Sequence, residues 1–171
     1  MALTIGTKNP CEIRSGGLVK LFLANVEDVT SFTLTGALYS AVTMVITKVF
    51  FEFEFEQDTA EIRETVSREN GSSKVVHEIE FFVPKLTQAN SDVLQQLLEQ
   101  SSCGVLAIAE DANGNKWVTG YSEKYLKGRP LKLSKDETKS GKTFTDLTGS
   151  TVVLESTDTQ KMNSFTGTVP V

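Results

Sequence analysis

Several short stretches of this 171-residue chain have residue types that could do chemistry. Ser140-Gly141-Lys142-Thr143 has the ending of a phosphate-cradling loop. A working loop needs a second glycine five residues before Gly141, where Asp136 stands instead. Asp136 and Glu137 would also repel a triphosphate, so the stretch reads as a basic loop. Asp111-Ala112-Asn113-Gly114-Asn115 suggests a calcium loop. Its frame would put Lys116 where the sharp-turn glycine belongs and Ser122 where a bidentate Glu is needed. A type I′ turn at Asn113-Gly114, joining strands near 105–109 and 116–121, accounts for the same residues.

His77 is the only histidine, so no two-histidine metal site can be drawn. Its expected partner, Glu64, would make a cross-strand ion pair, with no nucleophile beside it to form a catalytic set. Cys11 and Cys103 lack metal-ligand spacing and a local basic activator, and a reduced pair is expected. Trp117, Tyr121 and Tyr125 could stack nucleic-acid bases beside a basic stretch. At i and i+4, Trp117 and Tyr121 read better as core or interface aromatics. No enzyme activity, metal or cofactor is expected.

Phe51-Glu52-Phe53-Glu54-Phe55-Glu56 alternates without a break. Period two places the rings on one face of a strand and the carboxylates on the other. Glu52, Glu54 and Glu56 repel one another, and a linear ladder lacks the convergence of a cation site. Solubility does not require such an arrangement, which suggests a wall with one face on a core.

The elements that position these residues are mostly strands. Strand signals cover 18–24, 29–34, 41–57 (the longest), 60–67, 74–83, 104–110, 116–121 and 151–156. A two-residue turn at Asn70-Gly71 sets Val66 opposite Val75, Glu64 opposite His77, Ile62 opposite Ile79 and Ala60 opposite Phe81. All apolar residues of that hairpin then share a face. The alternation changes parity after Phe55, so a bulge or bend is expected at Gln57-Asp58. One helix, 91–100, carries the stripe Val93, Leu94, Leu97 and Leu98, with Asn90 or Ser91 as cap and Gly104 as its left-handed exit.

Composition fits one ordinary globular domain over residues 1–171: 39% apolar, 23% charged, net charge −5. That charge argues against a coat for DNA or an anionic membrane, and no apolar run approaches a membrane span. No secretory signal is visible at the N-terminus. Charge is segregated. Residues 52–80 hold nine acids against three bases; residues 123–142 hold seven bases against three acids. The bases are Lys124, Lys127, Arg129, Lys132, Lys135, Lys139 and Lys142, in what reads as a long loop over about 122–150. Residues 157–171 read as a flexible polar tail.

The order of parts resembles phage tail tube proteins and their relatives in contractile injection machines. The resemblance rests on the hairpin material at 49–57 and 60–83, the helix at 91–100, and closing strands at 104–121 and 151–156. The stretches 110–121 and 141–150 are also similar in style to structural proteins of tailed phages. It implies a mainly β, tail-tube-like β-sandwich or barrel with one short flanking helix and a long amphipathic hairpin. The implied function is a virion structural protein that assembles with itself, as a hexamer by family resemblance, into rings stacked as a tail tube that conducts DNA. A head–tail connector ring of the same fold and, further off, a ligand-binding β-sandwich are the alternatives. Implied partners are other copies, other phage tail or head–tail proteins, and DNA passing without specific binding, with no membrane; assembly in the host bacterial cytoplasm would leave the protein in the virion tail. Glu52, Glu54 and Glu56 would face the lumen, since phosphate attraction there would hold the genome back. The seven bases of 123–142 would meet the acidic hairpin of a neighbouring subunit.

Overall fold

The computed structural model describes Thr7 and residues 15–171, and Cys11 lies outside the described residues. Among them are strands β1 (Leu18–Asn25), β2 (Val29–Thr35), β3 (Leu38–Met44), β4 (Phe51–Glu52), β5 (Glu61–Glu69) and β6 (Ser72–Pro84). Helix α1 (Gln88–Gln100) follows, then β7 (Val105–Asp111), β8 (Lys116–Thr119), β9 (Tyr121–Ser122), β10 (Lys127–Gly128), β11 (Lys132–Lys139), β12 (Gly149–Asp158) and β13 (Asn163–Phe165). Over the described residues the fold is mainly β with one α-helix, as the sequence predicts.

Two sheets face each other. The larger has the order β2-β3-β13-β8-β7-β1-β4, the smaller β11-β12-β6-β5. Between them lies a core of Leu21, Leu23, Ala107, Ala109, Ile79, Phe81, Val152 and Leu154, closed by Leu94 and Leu97 of α1. A second core holds Phe22, Ala24, Leu106 and Ile108 with Phe32, Tyr39, Phe50, Phe165 and Val169. Successive residues of β1 and β7 therefore point into different cores. A strand buried on both faces needs a continuous apolar run rather than alternation, which is what 21–24 and 105–109 supply.

The hairpin β5–β6 matches the expected register, with Val66 opposite Val75, Glu64 opposite His77 and Ile62 opposite Ile79. Asn70 (φ 50°) and Gly71 (φ 78°) both adopt positive φ, the type I′ geometry that follows the strand twist. Ala60 lies just outside the ladder but shares the core with Phe81.

Five expectations change. The segment 41–57 is not one strand: β3 ends at Met44, a turn through Thr47 (φ 69°) intervenes, and only Phe51–Glu52 pairs again. Beyond it the chain crosses between sheets. The Phe53 amide donates to Leu21 O and the Glu56 amide to Phe82 O. The expected bend follows at Asp58 (φ 60°). The helix begins three residues early, with Thr87 as the cap accepting from the Asn90 amide. The turn after β7 is not type I′. The Gly114 amide returns to Asp111 O, only Gly114 has positive φ, and the Asp111 amide reaches Asn115 O, a three-residue loop with a glycine bulge.

The remaining two concern the presumed loop and tail. The presumed loop contains the short β9–β10 hairpin and the paired strand β11, bulged between Leu133 and Lys135. The tail is part of the core: Phe165 and Val169 are buried, and the Phe50 amide donates to Pro170 O.

Candidate interaction surfaces

Sheet pairing decides which charges meet. On the outer face of the four-stranded sheet, Lys132 lies opposite Glu155, Glu155 opposite Glu78, and Glu78 opposite Arg63. The Arg63 guanidinium contacts Glu78, reaches Glu80 at 2.9 Å and Glu61 at 3.2 Å. On β11, Glu137 sits between Lys135 (2.8 Å) and Lys139 (2.7 Å). Hydrogen bonds and charge from those two lysines hold the Glu137 carboxyl down at about 2. The acidic hairpin and the basic stretch are thus each partly neutralised from within, and β5 and β11 form opposite edges of one sheet.

The other bases divide differently. Lys124 Nζ and the Arg129 guanidinium lie over the Tyr125 ring, 5.4 and 5.0 Å from its centroid, so this ring holds cations of its own chain. Lys127 is in the short β10 strand paired with β9. Lys142 has no ion pair among the described residues and stands in the turn before β12. The seven bases therefore do not form one loop surface: three lie on β11, three around the β9–β10 hairpin, and one in the β11–β12 connection.

Glu52, Glu54 and Glu56 are exposed, as the alternation requires, and Phe53 and Phe55 pack against the inter-sheet core. Phe51 departs from the pattern and is 60% exposed, because β4 lies at the edge of its sheet. The glutamates make no ion pair among the described residues. Glu52 ends β4 and Glu54 and Glu56 stand on the crossing segment; none is on the four-stranded sheet. Glu52 and Glu54 border a groove of about 580 Å³ between residues 51–54 and α1. Phe53, Val83, Leu94 and Leu97 line it, and Glu99 adds another carboxylate on the helix side. Val93 and Leu98 are the more exposed part of the helical stripe; Val93 lines this groove, and Leu98 borders a smaller pocket beside Asp136, Thr138 and Ser150.

The tempting chemical motifs are satisfied internally. The amides of Lys142 and Thr143, which an anion would need, donate to Asp146 at 2.7 and 3.0 Å, and the Thr143 hydroxyl donates at 2.8 Å. Those donors hold the Asp146 carboxyl below its usual range. Asp111 accepts from the amides of Asn113 and Asn115, both at 2.9 Å, and from Trp117 Nε1 at 3.3 Å. Burial opposes its ionisation, but these donors outweigh it. Trp117 is therefore a half-buried brace for its own hairpin, while Tyr121 packs on Phe32 at 5.0 Å. No cluster of three or more His, Cys, Asp or Glu fit to hold a metal occurs among the described residues. Among them, no helix is long and apolar enough to cross a membrane.

Sequence reasoning missed Phe144 and Leu147, which project from the β11–β12 connection, Phe144 fully exposed and Leu147 72% exposed. The available signal was two large apolar residues in a polar, basic stretch between Gly141 and Gly149. Comparison with family models, curated proteins and solved structures finds no match for the chain.

Proposed function

We propose that the chain is a virion structural protein that assembles with itself into rings, stacked as a tail tube through which DNA passes. The observation that carries this reading is the four-stranded sheet β11-β12-β6-β5, open at both edges, with its inner face on the core and its outer face charged. Such a sheet can be extended edge to edge by further copies into a continuous wall. Three of its cations are engaged by neighbouring carboxylates, Arg63 by three glutamates and Lys135 and Lys139 by Glu137, while Lys132 lies across the ladder from Glu155. A wall that interleaves its cations with carboxylates offers little net attraction to phosphate, as a conduit for DNA requires.

Lysines and a bulge on β11 oppose indiscriminate strand pairing. A neighbouring β5 edge bearing Glu61 and Glu69 is compatible with those lysines, which favours one partner. In this reading the conduit wall is the outer face of the four-stranded sheet, and Glu52 and Glu54 border a subunit contact rather than the lumen.

Sedimentation of the purified protein over a wide concentration range, followed by negative-stain imaging, tests the proposal. Rings or tubes with an open centre are expected. Stacked tubes support the tail tube; isolated rings support a head–tail connector. A monomer at every concentration overturns both. Lys132→Glu, Lys135→Glu and Lys139→Glu together should impair assembly while the monomer stays folded.

A further inference from the structure

We infer that the β11–β12 connection is a docking knob that seats Phe144 and Leu147 in the α1 groove of a second copy of this chain. This rests on the self-assembly reading above and specifies a contact which that reading leaves open.

The knob is ordered by its own hydrogen bonds. Asp146 gathers the amides of Lys142 and Thr143 and the Thr143 hydroxyl. Thr148 Oγ1 donates to Ser140 O at 2.9 Å, and the Lys85 amide donates to Thr148 O at 2.8 Å. A connection fixed in this way still leaves a phenylalanine and a leucine in water. Holding their backbone in place before contact lowers the ordering cost of binding, the advantage of a preorganised anchor. A protruding aromatic ring is also the side chain that most often carries the energy of an interface when it enters a pocket.

The groove matches in shape and charge. Its volume, about 580 Å³, is within the range of sites that enclose a small ligand, so two side chains fit. Apolar Phe53, Leu94 and Leu97 line it, and the exposed Phe51 and Val93 flank it. Glu52 and Glu54 on its border have no ion pair among the described residues. Lys142, two residues before Phe144, has none either. The acidic border and the basic shoulder of the knob therefore complement each other.

Charge also names the occupant. Knob and groove are different patches of one molecule, and Phe144, being fully exposed, is not seated in the groove of its own chain. A contact between two different patches is head-to-tail and propagates from copy to copy, closing a ring or extending a stack.

Isotope-labelled and unlabelled copies provide the test. With a photo-crosslinking residue in place of Phe144 in the unlabelled copy, crosslinks to residues 51–54 or 93–97 of the labelled copy are expected. Phe144→Ala and Val93→Glu should each raise the half-assembly concentration at least tenfold, with the circular dichroism spectrum unchanged. Lys142→Glu should weaken assembly, and Glu54→Lys in the same chain should restore part of it. Unchanged assembly of Phe144→Ala overturns the knob while leaving self-assembly standing; a wild-type protein that never associates overturns both. Crosslinks confined to one copy, or a crosslinker at Val93 that captures residues other than 140–148, also overturn it.

Discussion

Glu64 Oε2 stands 3.5 Å from His77 Nε2 across the β5–β6 ladder, and both side chains are largely removed from water. The same carboxylate accepts the Met162 amide at 2.7 Å and meets Lys161 Nζ at 3.2 Å. His77 in turn donates from Nε2 to Gln160 O at 3.2 Å. Together they fasten the passage from β12 to β13 onto the hairpin.

Burial holds His77 below its ordinary value, although Glu64 and Gln160 pull the other way. The unfolded chain takes up this proton as pH falls through about 6.5, while the folded chain resists until lower pH. The unfolded state then binds more protons, so stability should fall as pH drops below about 6.5. Denaturant midpoints at pH 7.5 and 5.5 should differ less in His77→Gln than in wild type.

The phenylalanines around the crossing segment should contribute unevenly to stability. Phe81 is fully buried and meets Phe53 edge-on at 6.2 Å between centroids. Phe81→Ala should lose about 3–5 kcal/mol in urea unfolding. Phe51→Ala, at an exposed edge, should stay within about 0.5 kcal/mol.

Gly104, at φ 87°, leads the chain from the turn after α1 into β7, and an added Cβ would lie 2.5 Å from Pro130 Cβ and 2.8 Å from Leu131 O. Since both the backbone region and the space are wrong, Gly104→Ala should cost at least about 1–3 kcal/mol. Thermal unfolding of the purified variant measures it.

Asp146→Ala removes the acceptor that gathers three donors of the β11–β12 connection. Because that connection is exposed, global stability should fall by only about 0.5–1.5 kcal/mol. Limited proteolysis should nonetheless show faster cleavage within residues 140–148 than in wild type.

The hairpin was legible because its two signals are local: period-two alternation and the Asn-Gly turn. The sheet partners of β1 and β7 were not, since strands buried on both faces carry no facing signal. Strand β11 escaped notice for another reason. Its outer residues are Lys132, Lys135, Glu137 and Lys139, its inner ones include Asp136 and Thr138, and the bulge breaks what little periodicity remains. Phe165 and Val169 are isolated apolar residues in a polar stretch. Only long-range pairing, Phe165 with Tyr39 on one side and Lys116 on the other, makes them core. Of the candidate site, the exposed glutamates were readable; the groove beside them was not, because α1 is brought there by tertiary packing.

The groove also has a mechanical side. Its two walls, residues 51–54 and α1, are both places where the chain leaves one sheet for the other. Anything seated between them touches both passages at once and braces the sandwich like a wedge driven into a joint. Binding there would stabilise the folded state by mass action, making the unfolding temperature rise with protein concentration. In the proposed self-assembly, a lone subunit would open most readily along this seam, and docking of a neighbour would be what stiffens it.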